Sequence, residues 1–260
     1  MSIRPAAVAG LFYPGEPSKL QAEVDHLLQE AAVAGGERPQ ALVVPHAGYR
    51  YSGATAATAY ARLRPHRDSY RRVVLLGPAH RVYVEGIALP ESDLFDTPIG
   101  SVPVSRSLLE AALAHASVFR SEEAHRQEHS LEVHLPFLQR VLGDIEVLPL
   151  LVGRCPPSEV AGVIDALSGE SDTLFVVSTD LSHFHDYSTA SALDRQTCQR
   201  ILAGATDLRG EEACGAAPLN GFLASRHGSS LRRELIANCN SGDTAGDRKR
   251  VVGYASFVLH

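Results

Sequence analysis

Five residues that could share one piece of chemistry stand at turns rather than inside helices. His46 closes Val43-Val44-Pro45-His46, and His80 closes Leu75-Leu76-Gly77-Pro78-Ala79-His80. Each imidazole follows an apolar run and a Pro- or Gly-containing turn, which holds a side chain on a rigid but exposed perch. Imidazole is the commonest protein ligand for divalent transition metals, so two on one rim make a minimal chelate. Asp180 and His183 follow a third apolar run at i, i+3 spacing. There the carboxylate can orient the ring and raise its basicity, or cap the next turn through its side-chain oxygen. Cys214 sits in Ala213-Cys214-Gly215-Ala216, at the entrance to a predicted helix. Such a place can stabilise a thiolate for metal ligation or redox work, whereas a lone cysteine is otherwise a small buried hydrophobe. His185 is read as a bystander.

A fourth histidine-rich stretch carries a decoy. His125-Arg126-Gln127-Glu128-His129 spells the HxxEH of inverted zinc peptidases, which works only on a continuous helix. Ser130 looks like a helix start and Pro136 interrupts soon after, so His125 is expected to lie outside the helix. His129 and His134 then read as groups lining the pocket or supporting it.

These residues need elements to position them. Strands are predicted at Ala41–Val44, Val73–Leu76, Val147–Val152, Leu174–Ser178 and Val251–Val258. Helices are predicted at Lys19–Ala34, Ala54–Arg62, Arg106–Ala114, Leu131–Leu142, Pro157–Leu167, Ser188–Leu202 and Leu219–Arg226. Several strands are apolar throughout, as strands covered on both faces are. Their alternation with helices predicts an α/β fold: one domain over residues 1–260, with a mostly parallel central sheet flanked by helices. In such sheets ligands bind beyond the carboxyl ends of the strands, where the three histidine-bearing turns would meet if their strands are parallel neighbours.

Composition sets limits. Of the 260 residues 45% are hydrophobic and 21% charged, an ordinary globular balance. A net charge of −6 gives no electrostatic reason to expect nucleic acid. No stretch has the length and apolarity of a membrane span or a signal peptide, so a cytoplasmic location is expected, without membrane association. The four cysteines lack CxxC spacing, which argues against a zinc ribbon.

Taken together, Pro45-His46-Ala47-Gly48-Tyr49-x-Tyr51-Ser52-Gly53, Leu76-Gly77-Pro78-x-His80, Glu128-His129-Ser130-Leu131-Glu132-x-His134-Leu135-Pro136, Ser178-x-Asp180-x-x-His183 and Cys214-Gly215-x-x-Pro218 resemble the Memo family. Its bacterial and archaeal members are often labelled AmmeMemoRadiSam system protein B. The likeness runs from Arg4-Pro5 and Ala9-Gly10-x-Phe12-Tyr13-Pro14 nearly to the C-terminus. It implies a fold similar to the class III extradiol dioxygenases, the non-haem iron enzymes that cleave catechol rings. By that resemblance His46, His80 and Cys214 fall at metal-ligand positions, His183 with Asp180 at the acid/base position, and Tyr51 and Phe12 among pocket-lining residues, joined by His129, His134 and Glu132. The ring-cleaving enzymes use a carboxylate where this chain has Cys214. The implied cofactor is one non-haem ion, Fe(II) foremost, with Cu or Zn as alternatives. The implied function is a metal-dependent oxidoreductase acting on a small molecule. Its alternative is a non-catalytic metal-binding or peptide-recognition module working with radical-SAM and AMMECR1-like partners. A third option is zinc-assisted hydrolysis.

Overall fold

The computed structural model describes residues 1–31 and 36–260. In chain order its strands are β1 (Ile3–Arg4), β2 (Ala41–Val44), β3 (Arg72–Pro78), β4 (Ile87–Leu89), β5 (Leu94–Thr97), β6 (Gly100–Pro103), β7 (Val118–Arg120), β8 (Glu146–Val152), β9 (Thr173–Ser178), β10 (His183–His185), β11 (Arg233–Asn240) and β12 (Val251–Leu259). The helices are α1 (Pro17–Glu30), α2 (Tyr49–Ala61), α3 (Arg106–Leu113), α4 (Glu122–Arg126), α5 (Leu135–Leu142), α6 (Pro157–Leu167), α7 (Tyr187–Leu202), α8 (Ala216–Ala224) and α9 (Arg226–Ser230).

The main sheet runs β10-β12-β2-β9-β3-β8-β4-β7, with β11 also paired to β12. Its centre is parallel: β2 on β9, β9 on β3 and β3 on β8. Antiparallel pairings close it on both sides, β12 against β2 and β4 against β8. The parallel expectation therefore holds at the centre, within a mixed sheet. A small second sheet, β1-β5-β6, ties the N-terminus to the hairpin Leu94–Pro103.

Strand alternation assigns the layers. Phe175 of β9 packs on Phe222 of α8, while Ser178, three residues on, faces His134 beside α5. An odd spacing puts these on opposite faces. Helices α1, α2 and α5 cover one face, and α6, α8 and α9 the other. The central strands β2 and β9 are buried along their whole length, which explains their uninterrupted apolar sequence. Among the described residues no helix is long and apolar enough to cross a membrane.

Helix boundaries differ from expectation where tertiary contacts supply the cap. The α2 helix begins at Tyr49, not after Ser52-Gly53, because Tyr49 N–H donates to Phe12 O (2.8 Å) and Ser52 Oγ to Ala47 O. Gly53 is a packing site instead, where a Cβ would come within 3.0 Å of Leu27 on α1. The α1 helix starts earlier than predicted, on Pro17 with Glu16 as its cap, and the predicted end at Ala34 lies outside the described residues. The stretch predicted as one helix from Leu131 is a 3-10 turn, Glu132–His134, followed by α5; Pro136, lacking an N–H, stands in the first turn of α5. The short strands β4 and β7 and the polar strand β11 carry no periodicity and were not predicted.

Candidate metal centre

Beyond the carboxyl ends of three adjacent parallel strands, β2, β9 and β3, the chain delivers His46, then Asp180 and His183, then His80. His46 N–H donates to Asp180 Oδ1 (2.8 Å), which locks the turn after β2 to the turn after β9. Its ring Nδ1 lies 2.7 Å from Ser178 Oγ. Ser178 also meets His134 Nε2 (2.8 Å) and Ser130 O (2.6 Å). A hydroxyl has one proton, and a carbonyl can only accept, so that proton goes to Ser130 O. Both imidazoles must then donate to Ser178, which fixes His46 as the Nδ1–H tautomer with a lone pair on Nε2. Burial pushes the His46 pKa well below its ordinary value, helped by the positive charge His129 and His80 would carry, so the ring stays neutral.

That lone pair faces other imidazoles. His46 Nε2 and His80 Nε2 are 3.2 Å apart. His129 stacks on His80 (centroids 5.2 Å, 18°) and meets His46 edge-on at 5.4 Å. One ring nitrogen from each of His46, His80 and His129 lies within 4.8 Å of the others. Nitrogens each about 2.1 Å from one tetrahedral ion stand about 3.4 Å apart, close to the His46–His80 separation. His129 Nδ1 is 3.2 Å from Glu128 Oε1 but off the hydrogen-bonding direction, and is left buried without a partner. A forced lone pair on His46 with two further imidazole nitrogens gathered around it fits a divalent transition metal.

Glu128 holds the two loops together. It accepts from the backbone N–H of His80 (2.6 Å), His129 (2.9 Å) and Ser130 (3.0 Å). Burial would raise its pKa, but these bonds and the His129 side chain outweigh burial and hold it at about 2. Its oxygens are therefore committed to the scaffold.

Cys214 approaches from the other side, its Sγ 3.3 Å from His46 Nε2 and 3.3 Å from the Asp180 N–H. It stands outside the compact imidazole group but within reach of it. The helix entrance does not lower its pKa, as the sequence suggested it could: burial and the Asp180 carboxylate push the thiol up to about 12. A cation close by would reverse that balance. Gly215 permits the approach, since a Cβ there would stand 2.4 Å from Ser178 O. Burial also raises the pKa of Asp180, against the His46 N–H that lowers it. Asp180, expected to orient His183, is bonded to His46 instead; the His183 ring is set by Nδ1 donating to Leu181 O (2.8 Å), leaving Nε2 available.

The remaining site residues divide by exposure. Phe12 packs on the His129 ring (4.7 Å), and Tyr51 is half-buried on α2 with Arg50 over its ring. His134 takes the supporting one of its two expected roles, and Glu132, expected to line the pocket, is likewise buried. Glu132 spends both oxygens on the N-terminal segment, accepting from Arg4 (2.6 Å), Ala7 N, Val8 N and the Tyr13 hydroxyl. Arg4, fully buried, also donates to the carbonyls of His125 and Glu128. The HxxEH pattern is split the opposite way from expectation: His125 lies on α4, which ends at Arg126, and His129 follows it in a loop. His125 Nε2 bonds Ala88 O, far from any chelate role.

The sequence does not single out Ser178 or Glu128 as organising groups, and it points to His129 as a pocket-lining or supporting residue, not as a metal ligand. Ser178 stood in the Ser-x-Asp-x-x-His pattern, but its part depends on contacts with residues distant in the chain.

Residues 4–258 match a family model described as Memo-like protein. A MEMO1 family protein of Methanosarcina barkeri is 36% identical over 276 residues, covering 99% of this chain and 100% of the relative. One from Aquifex aeolicus is 34% identical over 273 residues, spanning 100% of both chains. A crystal structure of an uncharacterized protein from Escherichia coli K12 superposes with a TM-score of 0.54 over 86% of this chain and 100% of that one. At 16% identity, this is a likeness of fold.

Proposed function

This chain belongs to the Memo family, and we propose that it is a metal-dependent oxidoreductase of the non-haem kind acting on a small molecule. His46, His80 and His129 hold the ion, and Cys214 adds a thiolate. The observation that carries this reading is the Ser178-fixed tautomer of His46, which aims a lone pair at the nitrogen of His80 3.2 Å away. Three imidazoles with a thiolate can bind Fe(II), Cu or Zn, and Fe(II) is put foremost by the resemblance to the non-haem iron enzymes. A bound Fe or Cu ion would supply Lewis acidity and redox capacity. The chain's own part is to position the substrate and move protons. His183, its ring fixed through Nδ1 on Leu181 O and its Nε2 available, is the proton carrier at the mouth. Phe12 and Tyr51 bound the substrate's place.

Protein purified anaerobically should carry about one Fe or Cu per chain, and His46→Ala with His80→Ala should remove it. Stoichiometric zinc would favour metal-assisted hydrolysis, and full metal retention by the double variant would end the proposal.

A second reading draws on the exposed apolar side chains Leu11, Tyr83 and Phe184, which stand one to three residues from Phe12, His80 and His183. Such a rim suits a peptide or protein partner, and a recognition module working in the cytoplasm with radical-SAM and AMMECR1-like proteins would use it. Copurification with those proteins, combined with no oxygen uptake on any phenol or catechol, would favour this reading.

A further inference from the structure

A proton carrier needs its ring held, and Asp180 does not hold His183, being bonded to His46. A second buried carboxylate stands behind the same turn. Asp194 lies inside α7, 1% exposed, with Oδ1 accepting from the Ser182 N–H (3.0 Å). Aspartate is a poor helix former and a buried carboxylate is costly, so its place calls for a reason. Gly253 of β12 makes room for it, since a Cβ there would collide with Asp194 Oδ2.

The Ser182 N–H belongs to the same peptide unit as the Leu181 carbonyl, and on that carbonyl His183 Nδ1 rests (2.8 Å). In a planar trans peptide the N–H and C=O point in opposite directions. Fixing the N–H on Asp194 therefore fixes the plane, and with it the direction of Leu181 O. A carbonyl can only accept, so the neutral His183 ring is the Nδ1–H tautomer, with the lone pair on Nε2. Polarisation acts in the same sense, because a peptide that donates at one end accepts more strongly at the other. The turn does not keep this shape by local preference. Among the described residues Phe184, next in the chain, is the one non-glycine with a positive φ (65°), where a bulky side chain is strained. It is also the extra residue of a β-bulge against β12, a device that re-aims side chains at functional sites. Gly253 pairs with the turn from outside, its O accepting from the Leu181 N–H (2.8 Å) and its N–H donating to Ser182 O (2.9 Å). Neither bond involves the Leu181–Ser182 peptide unit, which is left to Asp194 and His183.

We propose that Asp194 is the positioning residue for His183, acting through the Leu181–Ser182 peptide. It takes the orienting role expected of Asp180 and leaves Asp180 to hold the turn of His46. The value of an available Nε2 rests on reading His183 as the proton carrier; the orientation itself can be tested without that reading.

The ring ¹⁵N signals of His183, assigned through a His183→Gln variant, read its tautomer at alkaline pH, where the ring is neutral. The full chain is measured metal-free and again with zinc, which is diamagnetic. Wild type should show the Nδ1–H form in both. Asp194→Asn keeps an acceptor oxygen and should keep that tautomer. Asp194→Val removes the acceptor, and the ring should pass to the Nε2–H form that an unrestrained imidazole prefers, with zinc uptake unchanged. Asp194→Ser, too short to reach the Ser182 N–H, should do the same if the valine variant fails to fold. A merely structural Asp194 would lower the unfolding midpoint of these variants and leave the tautomer alone. An Nε2–H ring in wild type, or an Nδ1–H ring retained in folded Asp194→Val or Asp194→Ser, would overturn the proposal. Failure to bind zinc would count against the metal centre instead, since the metal-free chain still reports the tautomer.

Discussion

Ser178 Oγ stands 2.7 Å from His46 Nδ1, and because its proton is committed to Ser130 O, it determines which nitrogen of His46 is left to bind a metal. Replacing Ser178 with Ala removes that constraint without touching a ligand. Metal affinity should fall roughly 10- to 100-fold, the usual effect of losing such a partner, while the fold persists. Competition against a chelator of known affinity measures it, and unchanged affinity would mean that the tautomer is set by something else.

Glu128 should matter to both loops at once. Glu128→Gln keeps the shape but replaces one acceptor oxygen with a donor, so one of the three N–H groups of His80, His129 and Ser130 loses its partner. A loss on the order of 2 kcal/mol in stability is expected, along with weaker metal binding. Denaturant unfolding and metal titration report the two effects separately.

Acid stability can be assigned to a buried histidine away from the centre. His125 is buried and bonded to Ala88 O, and burial lowers its pKa from 6.5 to about 4. The unfolded chain therefore binds a proton more readily than the folded one, and stability falls as pH drops. The contribution is fully present above pH 6.5 and is lost between 6.5 and 4, by about 3 kcal/mol. Urea unfolding across that window should show a slope smaller by about one proton in His125→Gln; an unchanged slope would assign the effect to another group.

The N-terminal segment is anchored by a fully buried ion pair, Arg4 to Glu132 at 2.6 Å. Arg4→Met strands the Glu132 charge and frees the carbonyls of His125 and Glu128. Breaking a buried pair from one side costs about 3–5 kcal/mol. The double variant Arg4→Met, Glu132→Gln should recover part of that loss, and a calorimetric comparison of the two would show it.

Much of the centre was legible because local signals and topology agree. Apolar runs before His46, His80 and Asp180 correspond to β2, β3 and β9, and these are adjacent and parallel, so chain order translated directly into proximity. The position of His129 was not legible: it lies in an irregular loop whose path depends on Glu128 gathering three backbone N–H groups. The start of α2 escaped for a similar reason, being capped by Phe12 O from another segment and not by a neighbouring side chain.

The account depends most on imidazole coordination, and X-ray absorption at the edge of the metal in anaerobically loaded protein reads that directly. The predicted spectrum has ring scattering from at least two imidazoles, with nitrogens at about 2.0–2.1 Å, and a sulfur shell near about 2.3 Å that disappears in Cys214→Ser. A shell of oxygen ligands without imidazole scattering, unaltered by His46→Ala and His80→Ala, would contradict it.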